Sequence, residues 1–196
     1  MTPRAGLTAD RVTRAAADLA DRIGFAALTV SGLARELGVR DASLYSHIRN
    51  LADLRARVAV LATAEMADQI GAAVAGRAGK EALAAFAHAY RRFAVRHPGR
   101  YAATQIALDP EVVAASPGHR RTLELTGGMI RAYRLAERDQ VDAVRLLRST
   151  FHGFSHFEAT GGFLHGRDVD ASFARAIDAL HVALENWPSH DKEGTP

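Results

Sequence analysis

The chain contains no cysteine. That removes disulfides, thiolate metal sites and a thiol nucleophile together, and it fits a cytoplasmic protein. No apolar run approaches the roughly 18 residues that cross a bilayer, and the first residues carry no secretory hydrophobic stretch. Aromatic residues make up only 7% of the 196 positions. Strand-like alternation is absent, as are repeats and low-complexity linkers. Also missing are a glycine-rich phosphate loop behind a strand and a GxSxG nucleophile turn. Nothing supports catalysis, so the protein is not expected to be an enzyme.

What is present is 48% hydrophobic and 24% charged residues, the balance of a soluble globular chain of one or two compact units. Its net charge of +3 is unevenly placed. Residues 1–60 hold nine arginines against six acids, whereas residues 61–196 hold 16 basic and 16 acidic residues. A basic end on a neutral body points to an anionic partner for that end.

The periodicity is helical nearly throughout. Val12, Ala16, Leu19 and Ile23 share one face, with Thr8 as N-cap, Asp10 in the first turn and Gly24 as the stop. Thr29 caps a second helix, TVSGLAREL, closed by Gly38. Asp41 is placed to cap a third, ASLYSHI, with Leu44 and Ile48 facing inward. Asn50 opens a long helix to about Val74. Further helices are expected over Lys80–Arg96, Arg100–Leu108, from the Asp109-Pro110 and Ser116-Pro117 starts, and over Thr122–Leu135, Glu137–Thr160 and Val169–Trp187. The last has a clean stripe of Phe173, Ile177, Leu180, Leu184 and Trp187. The fold class is all-α with about nine helices. Residues 1–50, with the start of the connecting helix to about 60, form one domain, 51–187 a second, and 188–196 a disordered tail.

Two short helices around a glycine turn form a helix-turn-helix. A B-DNA major groove admits one α-helix braced from behind, and here Leu33 and Leu37 provide the brace against Leu44. The open face carries Ala42, Ser43, Tyr45, Ser46 and His47, with Arg40 in the turn and Arg49 just beyond. Hydroxyl and guanidinium groups donate to phosphate oxygens, and arginine also pairs with guanine. The bland alternative is a helical hairpin whose polar face meets only water.

The stretch AAADLADRIGFAALTVSGLARELGVRDASLYSHIRNLADL resembles the N-terminal domain of the tetracycline-repressor (TetR) family of transcriptional regulators. The likeness is carried without a gap by Ala15, Ala16, Leu19, Gly24, Leu28, Thr29, Leu33, Ala34, Leu37, Gly38, Val39, Leu44, Tyr45, His47 and Leu54. It implies that the third helix reads the major groove of double-stranded DNA through Arg40, Asp41, Ala42, Ser43, Tyr45 and His47, with Thr29 and Val30 at the start of the brace helix. The family usually has a lysine where Leu51 stands, so that phosphate contact would fall to Arg49 or the amides around Asn50. Further on, STFHGFSHFEATGGF resembles a TetR subclass named for a Trp-His-Gly triplet, here Phe151, His152 and Gly153. It implies a helical ligand-binding and dimerisation domain.

Phe86, Tyr90, Phe93, Tyr101, Met129, Tyr133, Phe151, His152 and Phe154 are the candidate lining of a site for a small apolar or amphipathic effector. Singly, each apolar member reads as ordinary core. His152 and His156 have the i, i+4 spacing of metal pairs, but Gly153 sits where HExxH would need its glutamate. Neither metal nor cofactor is expected. A homodimer through about 137–160 and 169–187 follows from the need to pair two half-sites. The whole reads as a ligand-released repressor on a two-fold operator. The alternative is a helical small-molecule binding protein that has lost DNA binding.

Overall fold

The computed structural model describes residues 6–188, so all of the expected tail except Pro188 lies outside the described residues. They form ten α-helices, one more than the periodicity predicts, and no strand. In chain order these are α1 (Ala9–Ile23), α2 (Val30–Leu37), α3 (Asp41–Leu44), α4 (Leu51–Val74), α5 (Gly79–Arg96), α6 (Pro98–Ala103), α7 (Pro110–Ala115), α8 (Pro117–Arg131), α9 (Glu137–Ala159) and α10 (Val169–Glu185). A 3-10 turn, Phe25–Ala27, joins α1 to α2.

Local chemistry sets most boundaries. Thr8 accepts from the Arg11 amide at 3.1 Å and Thr29 from the Gly32 amide at 3.0 Å. These side chains satisfy first-turn amides that have no acceptor within their own helix. Gly38 takes φ +65° as the left-handed cap of α2. Asp109 and Asp168 cap α7 and α10 by accepting from the Glu111 and Ala171 amides.

Three expectations need correction. Pro98 does not hold off the next helix until Arg100. It occupies the first turn of α6, which ends at Ala103, because a proline there gives up an amide that had no partner to lose. The helices expected from Pro117 and over Thr122–Leu135 are one continuous α8, which ends at Arg131. Ile23 is 48% exposed, while Val12, Ala16 and Leu19 are buried. It is the last residue of its helix, where the apolar face has run past its neighbours.

The chain divides into two compact units. The first comprises residues up to Gln69 together with Arg92–Leu123, and the second Ile70–Arg91 together with Glu124 onward. In the first, Val12, Ala16, Leu33, Leu44, Leu54 and Val58 close a core that also takes in Ala103 of α6. In the second, Phe86 and Tyr90 of α5 meet Phe151 of α9, whose ring lies 6.4 Å from that of Phe173 on α10. Arg91 seals this aromatic core. It forks onto both Glu158 oxygens at 2.5 and 2.7 Å, reaches Asp170 at 2.7 Å and lies 5.0 Å from the centre of the Phe173 ring.

Candidate nucleic-acid interface

The helix-turn-helix belongs to the first unit. Leu33 of α2 and Leu44 of α3 are fully buried, and Ile48 is 2% exposed, so the inner faces of the two short helices are committed to the core. α3 has one regular turn rather than the two expected. Beyond it the chain stays coiled, with the His47 and Ile48 amides both donating to the Leu44 carbonyl at 2.8 and 3.0 Å. Asp41 is not the N-cap of α3. Arg40 holds that position without a side-chain hydrogen bond, while the Asp41 carboxylate accepts from the Ser31 hydroxyl of α2. The aspartate thereby ties the two helices of the motif together across their turn.

The outer surface is open. Arg40, Asp41, Ala42, Ser43, Tyr45, Ser46 and Arg49 are exposed, Tyr45 to 55%, and His47 is half-buried. Thr29 is exposed and Val30 half-buried at the start of α2. The Ser46 hydroxyl donates to the Ser43 carbonyl at 2.8 Å, leaving its oxygen free to accept. A tyrosine held this far into solvent on a one-turn helix places an apolar ring and a hydroxyl at the same outer edge.

Behind that surface stands a brace in which arginine predominates. Arg55 donates to the carbonyls of Ala26 and Leu28 at 2.9 and 3.3 Å, pinning the turn that leads into α2. At the start of α4, Asn50 accepts from the Asp53 amide, while Asp53 accepts from the Arg49 amide and from Arg57 at 3.1 Å. Burial pushes the Asp53 carboxyl up, but the Arg49 amide and Arg57 together hold it below the usual carboxylate range. Arg22 pairs with Glu36 at 2.6 Å. Hence Arg22, Arg55 and Arg57, which contribute to the charge asymmetry, are occupied within the protein, while Arg40 and Arg49 face outward. Arg49 also reaches Asp53 at 3.3 Å, with its side chain 84% exposed.

Two comparisons bear on this geometry. Residues 12–58 match the family described as "Bacterial regulatory proteins, tetR family", and residues 83–180 match "Tetracyclin repressor-like, C-terminal domain". An uncharacterized HTH-type transcriptional regulator of Bacillus subtilis, YobS, is 33% identical over 90% of this chain and 92% of its own. The chain belongs to the TetR family of transcriptional regulators. A second uncharacterized HTH-type regulator, from Mycobacterium tuberculosis, is 33% identical over 95% of this chain and 85% of its own. Among solved structures, BioQ of Mycobacterium smegmatis superposes with a TM-score of 0.65 at 25% identity, covering 93% of this chain and 100% of that one. BioQ has also been solved with its double-stranded DNA operator.

The effector candidates of this TetR protein are drawn from both compact units. Phe93 and Tyr101 belong to the first unit, and Phe86, Tyr90, Met129, Tyr133, Phe151, His152 and Phe154 to the second. Phe86, Tyr90 and Phe151 are packed on one another. The Phe154 ring lies 4.8 Å from that of Phe173, tilted to it, and Tyr133 is hydrogen-bonded to His181. His152 and His156 stack along α9 with ring centres 6.0 Å apart. Among the described residues no group of three His, Cys, Asp or Glu side chains converges, and no helix is long and apolar enough to cross a membrane.

Sequence reasoning missed Arg91, Arg55 and, above all, Arg100 of α6. The Arg100 side chain, 10% exposed, reaches Asp18 at 2.6 Å, Glu65 at 2.8 Å and Asp21. No local pattern signals it, because its partners lie 35 to 82 residues away.

Proposed function

We propose that this TetR protein is a repressor that binds a two-fold operator as a homodimer and is released by a small apolar or amphipathic effector. In this reading residues 1–50 form the DNA-binding head, and 51–187 bind ligand and dimerise. The observation that carries the reading is the outer surface of α3. Tyr45, Ser43 and Ser46, flanked by Arg40 and Arg49, stand exposed on a short helix whose inner face is fixed in the core. Such a surface suits a major groove, with Thr29 and Val30 beside it and Ala42 small enough for close approach to base edges. BioQ, a relative in fold, acts on DNA as its operator complex indicates.

The test is a binding titration on the DNA flanking the protein's own coding region. Tyr45→Ala should weaken operator binding about tenfold with its melting temperature unchanged, since one base or phosphate contact is worth about 1–3 kcal/mol. Binding should weaken steeply with salt, by about 0.9 in the log–log slope for each neutralised phosphate. A flat salt response, or an unaltered Tyr45→Ala affinity, sinks the reading and favours a ligand-binding protein without DNA activity.

The dimer is supported by a second apolar face on the two C-terminal helices. α10 buries Phe173, Ile177, Leu180 and Leu184, yet leaves Val182 56% exposed among Ala176, Ala179 and Ala183. α9 leaves Leu146 and Phe157 39% and 53% exposed. Two copies packing these faces would make a four-helix bundle. Val182→Glu is expected to convert the dimer to a helical monomer in light scattering; a wild-type monomer at micromolar concentration removes the proposal. Regulation then follows if effector and operator favour different separations of the paired heads, with a coupling of roughly 1–3 kcal/mol. The effector site is proposed among Phe86, Tyr90, Phe93, Tyr101, Met129, Tyr133, Phe151, His152 and Phe154.

A further inference from the structure

A cleft of about 440 Å³ opens in the second unit, lined by Gly79, Lys80, Tyr133, Arg134, His181 and Glu185 and by none of the packed phenylalanines. Its wall is ordered by a short relay. The Tyr133 hydroxyl lies 3.1 Å from His181 Nδ1, and His181 Nε2 faces Glu185 at 3.4 Å. The carboxylate favours the proton on Nε2, so Nδ1 accepts from Tyr133 and holds the phenol ring in place. Burial, reinforced by Glu185, pushes the Tyr133 hydroxyl up to about 12, so it stays protonated and can donate.

The cleft holds two permanent cations, and one of them is paired: Lys80 meets Asp178 at 2.7 Å. The Arg134 guanidinium has no hydrogen-bond or ion-pair partner among the described residues. Its backbone is also unusual. Arg134 is the only non-glycine among the described residues at positive φ, +54°, just past the end of α8, where glycine would sit without strain. A strained position that keeps a long cationic side chain at the mouth of a cleft points to a use for that side chain. Gly79, itself at φ +53°, brings the first turn of α5 to the same cleft, and the positive end of that helix adds to the field of the arginine.

We propose that this cleft binds a small organic monocarboxylate, with the carboxylate forked onto Arg134 and the body of the ligand against the Tyr133 ring. A planar guanidinium matches a carboxylate in two parallel hydrogen bonds. The one cation without a partner calls for one negative charge, and the Glu185 carboxylate on the same wall repels a dianion. The volume suits a molecule of about ten heavy atoms. The inference stands independently of the operator reading, and a protein that fails to bind DNA would still be expected to bind the acid.

The experiment uses the full chain and benzoate as the probe, followed by emission of the single tryptophan, Trp187, two residues beyond Glu185, and by saturation-transfer NMR. Benzoate should saturate with a dissociation constant on the order of 1 mM. Benzyl alcohol and inorganic phosphate should bind at least about tenfold more weakly. Arg134→Gly should lose about tenfold in benzoate affinity while melting no lower than wild type, because glycine relieves the strain. A loss of binding through misfolding would instead lower the melting point. Arg134→Gln keeps the backbone strain and should lose the same affinity. Wild-type benzoate affinity in both variants, no saturable signal by either method, or phosphate or benzyl alcohol binding as tightly as benzoate overturns the proposal.

Discussion

Arg100→Ala is expected to destabilise the first unit by about 3 kcal/mol and to lower its melting temperature by roughly 10 °C. The guanidinium sits among three carboxylates. It reaches Asp18 and Asp21 of α1 and Glu65 of α4, and the Arg100 amide donates to Asp21 at 2.8 Å. Burial alone would disfavour its charge, but the hydrogen bonds it donates to Asp18 and Asp21 and the field of Glu65 and Asp21 raise its pKa above the ordinary arginine value. Removing the cation leaves three like charges facing one another with their acceptors partly unmatched, and Asp21 is only 14% exposed. Asp18 is 59% exposed and water will screen it, so the estimate stays well below the sum of three buried pairs. Arg100→Lys keeps the charge but not the three-way fork and should recover only part of the loss. Thermal or urea unfolding decides the matter. An alanine variant within about 0.5 kcal/mol of wild type would show that the cluster is ornamental.

Gly99→Ala, one residue earlier, should be comparably severe for a different reason. A Cβ at position 99 would lie 2.1 Å from the Ala20 carbonyl carbon and 2.5 Å from the Asp21 amide nitrogen. Both obstacles are backbone, so no rotamer change relieves them and α6 must withdraw from α1. That movement also pulls the Arg100 amide away from Asp21. A cost of about 3 kcal/mol is expected, at the upper end for overpacking. Because the two changes strike one contact, Gly99→Ala with Arg100→Ala should cost less than the sum of the singles. Strict additivity in unfolding measurements would mean that the two residues act separately.

Much of the fold is legible in short stretches of sequence because helix ends are set locally. Thr8, Thr29, Asn50, Asp109 and Asp168 each cap by reaching an amide two or three residues ahead, so the signal and its consequence share one window. Gly24 and Gly38 stop α1 and α2 by the same logic, and both have positive φ. The expectations that failed depended on neighbours distant in sequence. Asp41 has the right identity for a cap, but Ser31 of α2 takes its carboxylate. Ile23 has the right period, but nothing lies opposite it to bury its side chain. How the aromatic effector candidates pack on one another was likewise not legible in the sequence, which carries their type and position alone. Packing then turned Phe86, Tyr90 and Phe151 toward one another and left Tyr133 at a separate cleft with His181.

Read alone, the chain determined an all-helical fold, the helix-turn-helix and the outward set from Arg40 to Arg49, because these follow from residue spacing and caps within a turn or two; its likeness to the TetR family added the name of that architecture. Only the tertiary structure decided which arginines face solvent and which hold the protein together. Arg40 and Arg49 remain outside, whereas Arg55, Arg91 and Arg100 are drawn in by carbonyls and carboxylates up to 82 residues away. A charge counted along a sequence carries no information about its partner until folding brings the two within a few ångströms.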